Sequence, residues 1–395
     1  MPRFWQSPGL ARAAVAISSV GVVVAVVAFI LGSSIESGQG TAIGGLAVLG
    51  AAALTFYGTH LTREQTKTDE NNKHQREVMR DLQSRFTNSA TQLANDAATI
   101  RLAGVYSLAS LADDWYTATG STLASERDRQ VCIDVLCAYL RRDTTTYAAL
   151  YSQLKEGDTL DRTEDLAAEE NIVRDAIVTA IRTHTTSVPA DTNNPTWKDA
   201  DFDLTRAKLP RAHLPFAKIP LALLSGADLE KANLVDCDIS GGNLDNVNLR
   251  HSYLNGARLV GSHLNKAHLD VAKLDNTNFQ NATARAANFT SARGNFTSFK
   301  GARLQSAQFV RVRLMGASFA GANLYDANFE GAELMSVSFD GATLDGADFS
   351  GADLRTASFR NIVLEFGNEP VWPGGKRPDH VTSIPVQDFP NPNDD

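Results

Sequence analysis

The sequence predicts an α + β-solenoid chain: two transmembrane helices, a small helical module, and then a long stack of extended coils. Three observations predict it. Two uncharged apolar stretches stand near the amino terminus, at 13–32 and 42–58. The middle of the chain carries apolar residues at helical spacing. From Leu204 to Leu364 every fifth residue is Leu, Ile or Phe, except Ala284 and Gly294, and a small residue, usually Ala, stands two positions earlier. That span makes 33 five-residue repeats in one register without an insertion. Fixed-period self-similarity of this kind means a solenoid, whose units bury their apolar faces only against their neighbours.

The elements follow in order. Residues 1–60 are expected to form a two-span transmembrane hairpin, because twenty uncharged residues are about what a helix needs to cross a bilayer core of roughly 30 Å. The second stretch is seventeen residues, short but within range. Arg3 and Arg12 precede the first span, and Arg63, Lys67, Lys73, Arg76 and Arg80 follow the second, whereas the loop 33–41 holds Glu36 and no Lys or Arg. The excess of cations on the flanks places both termini in the cytoplasm of a multi-pass protein of the cell membrane. A cleaved signal peptide is the alternative, disfavoured by the long apolar region and a poor cleavage site.

Residues 61–90 read as a polar helical linker and 91–184 as a helical module. Leu93, Ala97, Ile100, Gly104, Leu108 and Leu111 share one helical face. Val131, Val135, Leu136, Tyr139 and Leu140 make a second helix, and Leu166, Val173, Ala176, Ile177 and Ile181 a third. Gly120, Ser121 and Gly157 mark the connections. Arg85, Arg101 and Arg141 are expected to anchor these helices through ion pairs, with contact to a partner as the alternative. Cys132 and Cys137 are read as core or half-buried and not redox-active, and three widely placed cysteines fit a reducing compartment. Residues 185–198 are a linker, with Trp197 placed to cap the first coil, and 199–366 are the repeats. The Pro/Gly-rich tail 367–395 is expected to be disordered, with Trp372 available to fold back over the last coil.

The segments RFTNSATQLANDAATIRLAGVYSLASLADDW (85–115), VCIDVLCAYLRRD (131–143) and NIVRDAIVTAIRTH (171–184) resemble the HEAT-like helical module that precedes the repeats in membrane-anchored pentapeptide-repeat proteins of actinobacteria. The copies GADLE (226–230), GANLY (321–325), GADFS (346–350) and GADLR (351–355) resemble the pentapeptide-repeat family itself. That resemblance implies a right-handed quadrilateral parallel β-helix, one pentapeptide per side and twenty residues per coil, with the central Leu or Phe and the small residue pointing inward. Elementary packing agrees, since a narrow coil filled by four large side chains has room only for small ones beside them. About eight coils at a spacing of ~4.8 Å make a rod of roughly 40 Å.

Stacking the chain by twenties gives finer expectations. Phe309, Phe329 and Phe349 fall in one ladder, and Phe319, Phe339 and Phe359 in the opposite one. Ala284 and Gly294 predict a bend, void or bulge near 284–296, with Phe296 folding in to compensate. Pro210, Pro215 and Pro220 each follow a central residue and are read as protecting the edge of the first coil. One outward column reads Tyr253, Lys273, Arg293, Arg313, Glu333 and Asp353, and two readings stay open for it: a solvated face of splayed side chains, or a stripe that binds an acidic partner or anionic lipid. Residues 199–313 hold 15 Lys/Arg and 10 Asp/Glu, whereas 314–366 hold 2 and 8.

For function, the pattern predicts a membrane-tethered cytoplasmic interaction scaffold that touches the bilayer through 13–32 and 42–58 and presents a rigid rod to an unknown protein partner. Resemblance to the soluble quinolone-resistance pentapeptide proteins supplies the alternative, a DNA-mimic modulator of DNA gyrase or topoisomerase. Against it stand a nearly neutral repeat region and a Pro-rich tail with no place for a terminal dimer helix. A net charge of −8 is too mild by itself to name a nucleic-acid partner. Basic residues are not interleaved with exposed aromatics, so no nucleic acid is expected. No catalytic residues, cofactor or metal are expected: the carboxylates recur because they fill a repeat position, and His213, His251, His263 and His268 face no triad or ligand set.

Overall fold

A computed structural model describes residues 71–118, 123–142, 160–186, 197 and 199–384. The two apolar stretches at 13–32 and 42–58 lie outside the described residues, as do Gly120, Ser121, Gly157 and the loop 187–196. Among the described residues no helix is long and apolar enough to cross a membrane. The chain divides into two compact units, Met1–Tyr139 with Asp143–Ala176, and Leu140–Arg142 with Ile177–Asp395. The division therefore falls inside the last helix, not in the expected linker 185–198.

Four helices are described: α1 (Asn71–Leu93), α2 (Ala98–Ala118), α3 (Leu123–Arg141) and α4 (Leu160–Thr185). α1 runs through the boundary drawn at residue 90 and is not a solvated linker, because Leu82, Phe86, Ala90 and Leu93 are buried. The chain breaks between α1 and α2 at Asn95, whose side chain accepts the N–H of Ala97 at 2.9 Å. This local bond competes with helix continuation. Within α2 Ile100, assigned to the apolar face, is exposed, while Val105, Leu108, Leu111 and Trp115 are fully buried. Gly104 permits close approach of the two helices, since a Cβ there would lie 2.5 Å from the backbone N of Leu93.

The first unit encloses one charged cluster. Glu170 accepts from the Tyr139 hydroxyl at 2.8 Å, from Arg174 at 3.1 Å and from Arg101 at 3.4 Å. Arg101 also donates to the carbonyls of Asn95 and Asp96 at 3.2 and 2.6 Å. A buried ion survives only when paired and hydrogen-bonded, and here three helices supply the partners. Arg85 pairs with Asp114 at 2.5 Å. In the second unit Arg141 pairs with Asp203 and the Leu140 carbonyl accepts from Lys208 N–H at 3.3 Å. Trp197, fully buried, stacks on His184 with centroids 4.3 Å apart. All three cysteines are free and buried, and burial pushes the Cys132 and Cys237 thiols well above the ordinary range.

The repeats form a four-sided parallel stack. Every bridge from Asp203↔Leu223 to Thr343↔Val363 joins residue i to i+20. One repeat shows how the backbone is satisfied. Asp228 N–H donates to Ala207 of the coil before, and Leu229 and Lys231 N–H donate to Asn248 and Arg250 of the coil after, at 2.7–2.9 Å. Ala232 N–H turns back to Leu229 at 3.0 Å. Glu230 N–H takes the Asp228 carboxylate at 3.2 Å. The residue just after each central residue thus contributes no N–H to the ladder.

That accounting corrects the reading of the prolines. Pro210, Pro215 and Pro220 occupy this non-donating position, each followed by a residue at positive φ (Arg211, Phe216, Leu221). They pre-set a turn and cost the ladder nothing, so they protect no edge, and Pro215 is itself buried.

The core is a double column of rings. Phe279, Phe299, Phe319, Phe339 and Phe359 stack at 4.8–5.1 Å. Phe289, Phe309, Phe329 and Phe349 stack at 4.8–5.0 Å. The two columns meet edge to face, as for Phe319 and Phe329 at 5.5 Å and 89°. Edge-to-face and offset contacts are each worth about 0.5–1.5 kcal/mol beyond burial. Polar residues that point inward donate to carbonyls, as Ser252 does to Leu249 at 2.7 Å and Thr277 to Leu254 at 2.8 Å.

The expected bulge near 284–296 is absent. Ala284 and Gly294 N–H pair in register with Arg303 and Arg313 at 2.7 and 2.8 Å. Phe296 does not fold in; it is 64% exposed. The space beside Gly294 is taken instead by Thr297 and Leu274, since a Cβ at Gly294 would lie 2.4 Å from the Thr297 hydroxyl and 2.7 Å from Leu274 Cβ.

The tail departs from expectation up to Ile384, and 385–395 lie outside the described residues. Strand β1 (Ile362–Val363) pairs in parallel with β2 (Ser383–Ile384). Trp372 stacks on Phe349 at 5.5 Å and meets Phe359 edge-on at 5.4 Å, so it closes both ring columns. The fully buried Asp345 carboxylate accepts the N–H groups of Glu365, Phe366 and Asn368 at 2.8, 2.7 and 3.4 Å. Prolines hinder helices, not an extended segment laid across a coil.

Truncating Phe329, which touches rings above, below and across, is expected to cost about 3–5 kcal/mol, whereas Phe296→Ala is expected to stay within about 0.5 kcal/mol. Denaturant unfolding of the two variants checks the contrast.

Candidate functional site

Residues twenty apart share a column, so an outward position on one side repeats up the rod. Tyr253, Lys273, Arg293, Arg313, Glu333 and Asp353 are joined by consecutive bridges and stand in one column of one face. The Lys273 ammonium lies 4.6 Å from the centroid of the Tyr253 ring. Arg313 pairs with Glu333 at 3.0 Å. Arg355, from the adjoining turn, holds Asp353 at 2.7 Å. Hydrogen bonds from the Arg355 side chain, then from its N–H, hold the Asp353 carboxyl down at about 2. Arg293 makes no ion pair among the described residues and is flanked by two like charges. Stacked cations are therefore relieved at both ends of the run and not at its centre.

The same face carries the exposed apolar residues, which reasoning from the column alone missed. Within 204–364 eight large hydrophobic residues are exposed. Six of them lie on this face or at its bounding corners: Phe216, Tyr253, Val271, Phe296, Met315 and Met335. Leu221 and Leu223 are the other two. The signal was present in the sequence, because Met315 and Met335 are twenty apart, each directly after a central Leu. It appears only when every outward position is stacked, turns included. Single exposed apolar residues are ordinary, but a cluster on one side of four is informative.

The core residues Phe309, Phe319, Phe329, Phe339, Phe349 and Phe359 sit in the two ring columns and touch no solvent. Their role is to keep the coils in register beneath the face. Among the described residues no group of three His, Cys, Asp or Glu could hold a metal ion. The four histidines of the repeats form no single cluster: His213 belongs to the column of Tyr253, with His251 at a corner of that face in the column of Val271, whereas His263 belongs to the column of Asn243 and His268 to that of Asn248.

Profiles for pentapeptide repeats match residues 222–250 and 322–361, and a profile for a pentapeptide repeat region matches 262–339. This chain is a pentapeptide-repeat protein. The repeats of the family wind as a right-handed β-helix, and the four-sided parallel stack above is that fold. Among solved structures it is similar to a pentapeptide-repeat protein from the Arabidopsis thaliana thylakoid lumen, with 32% identity over 27% of this chain and 70% of that one, at TM-score 0.18. It is also similar to HetL, involved in heterocyst differentiation regulation in the cyanobacterium Nostoc, with 26% identity over 45% and 84%, at TM-score 0.23. The plasmid-mediated fluoroquinolone resistance protein QnrB1 matches with 19% identity over 42% and 91%, at TM-score 0.27. A search of curated proteins returned no match.

Replacing Arg355 by Gln is expected to return the Asp353 carboxyl from about 2 toward the ordinary ~3.9. Because the folded value is depressed, any stabilisation from the pair is present above the unfolded carboxylate value and disappears as pH falls through about 2. An NMR titration of the Asp353 carboxyl reads the shift, and an unchanged midpoint would contradict the pairing.

Proposed function

We propose that this pentapeptide-repeat protein is a non-enzymatic interaction scaffold whose working surface is the face that carries Lys273, Arg293 and Arg313. The supporting observation is coincidence: the run of stacked cations and six of the eight exposed large apolar residues of the repeats occupy one side of the rod, and Leu221 and Leu223 are the two that lie elsewhere. Interfaces combine apolar and aromatic anchors with Arg, and solenoids bind along their length. In this reading the apolar stretches 13–32 and 42–58 tether the chain to the cell membrane, with both termini in the cytoplasm, and the rod presents its face to a protein partner. The positive flanks of those stretches support that orientation.

The DNA-mimic alternative has less support. An acidic surface must be free to imitate phosphates, yet in the acidic last third Asp345 is buried, Glu333 and Asp353 are paired with Arg313 and Arg355, and Asp340 accepts from Ser358 at 2.5 Å.

Crosslinking in native membranes, with wild-type chain compared with the triple variant Lys273→Gln, Arg293→Gln, Arg313→Gln, tests the scaffold reading. The triple variant is expected to keep its melting temperature within a few degrees, because all three side chains are exposed. It is expected to lose most of the captured protein. Equal capture by both chains would sink the assignment of this face.

A further inference from the structure

The display face has a symmetry that the stripe alone does not explain. Its midpoint lies between the coil of Arg313 and the coil of Glu333. On one side of that midpoint the column reads Arg313 and then Arg293; on the other it reads Glu333 and then Asp353. Charge in this column is therefore reversed about the midpoint, although Asp353 already holds Arg355, which stands in the corner column beyond Met335, at 2.7 Å. At the neighbouring corner the two residues at the same levels, Met315 and Met335, are alike and both exposed.

Consider a second copy turned by 180° about a line that lies in the face and crosses the rod at this midpoint. The turn reverses the direction of the rod and keeps each column opposite itself. Arg313 then meets the partner's Glu333, and Arg293 meets the partner's Asp353. Met315 meets the partner's Met335. Each contact occurs twice, as a two-fold interface requires. The existing Arg313–Glu333 pair of 3.0 Å becomes half of an alternating four-charge cluster, and Arg293, which makes no ion pair among the described residues of its own chain, comes to share the partner's Asp353 carboxylate with Arg355 of that chain. A parallel pairing would instead set Arg against Arg and Glu against Glu, which is unfavourable.

We propose that this face docks a second copy of the same chain in antiparallel orientation, centred between Arg313 and Glu333. The proposal rests on the display-face reading above and names that face's partner. The matched stretch spans four coils, about 15 Å between its outermost levels. A side five residues long is on the order of 10–15 Å wide, so the matched patch is on the order of 200 Å², well short of the roughly 800 Å² per partner of a standard interface; the pairing is weak, salt-sensitive and strengthened by confinement to one surface. Two copies anchored in one membrane can pair in this way when their rods lie along it.

The test uses the full chain in detergent at low salt, with dimer fraction read by sedimentation. Arg293→Glu and Asp353→Arg are each expected to lower the dimer fraction several-fold, and the double variant Arg293→Glu, Asp353→Arg is expected to restore it. Melting temperatures of all three are measured alongside, and both positions lie on the surface. Direction is read by oxidation of co-expressed Arg293→Cys and Asp353→Cys chains, since the three native cysteines are buried. The mixture is expected to crosslink, whereas Arg293→Cys alone is not, because two such residues stand about 14 Å apart along the antiparallel pair, beyond the ~7 Å reach of a disulfide. Single variants that pair as well as wild type, a double variant that fails to recover, or homotypic crosslinks equal to the mixed ones would overturn the proposal. A wild-type chain that stays monomeric while its captured protein is lost in the triple Gln variant overturns self-docking and leaves the display face standing. Monomeric wild type with capture unchanged in that variant overturns both.

Discussion

The structure depends on one constraint, the backbone pairing of residue i with residue i+20. Three of every five N–H groups bond to a neighbouring coil, two looking forward and one back. A parallel ladder of this kind admits no slip, because a one-residue shift would exchange inward and outward side chains. Everything else follows from it. Rings twenty apart stack because their backbones are held at strand spacing. Charges twenty apart form columns for the same reason. A solenoid without such locking would have neither a continuous aromatic core nor a face.

The core and the face are consequently two readings of one register. Edge-to-face contacts between the columns of Phe319 and Phe329 fill the axis, and Trp372 ends it where no further coil follows. Asp345 is the hinge of that ending. Its carboxylate satisfies three N–H groups that would otherwise be buried without partners at the point where the chain leaves the repeat. Unpaired buried donors cost about 1–3 kcal/mol each, so one acidic side chain at the right turn allows the tail to lie down over the last coil. The last bridge, Asp348↔Val371, has an offset of twenty-three and not twenty, which marks where the register yields to the cap.

Much of this was legible in the sequence, because five-residue periodicity is a direct image of the inward and outward alternation. The columns of Phe309 to Phe359 and of Tyr253 to Asp353 can be written down by counting. The ion pairs of Arg85, Arg101 and Arg141 were also expected, although their acidic partners were not. What was not legible depends on three-dimensional accounting. Gly294 looked like a defect, but the neighbouring Thr297 and Leu274 fill its space, and Phe296 remains outside. The prolines looked like ladder breakers until the donor at their position was found to be idle. The tail looked irregular because its order comes from contacts with a preformed end and not from its own periodicity. Met315 and Met335 escaped notice since they sit in turns, where an apolar residue carries no pattern until coils are stacked.

The most direct measurement is the distance between spin labels at Tyr253→Cys and Asp353→Cys in the full chain. Both positions belong to one column, five coils apart, so electron–electron dipolar spectroscopy should give one narrow distribution centred near 24 Å, from five steps of about 4.8 Å. Excision of ten residues, 316–325, keeps Phe on Phe while turning the far end to the opposite side, and should lengthen the distance although half a coil has been lost. A broad distribution in the intact chain, or a distance that shortens on excision, would contradict the register on which the core, the cap and the face all depend.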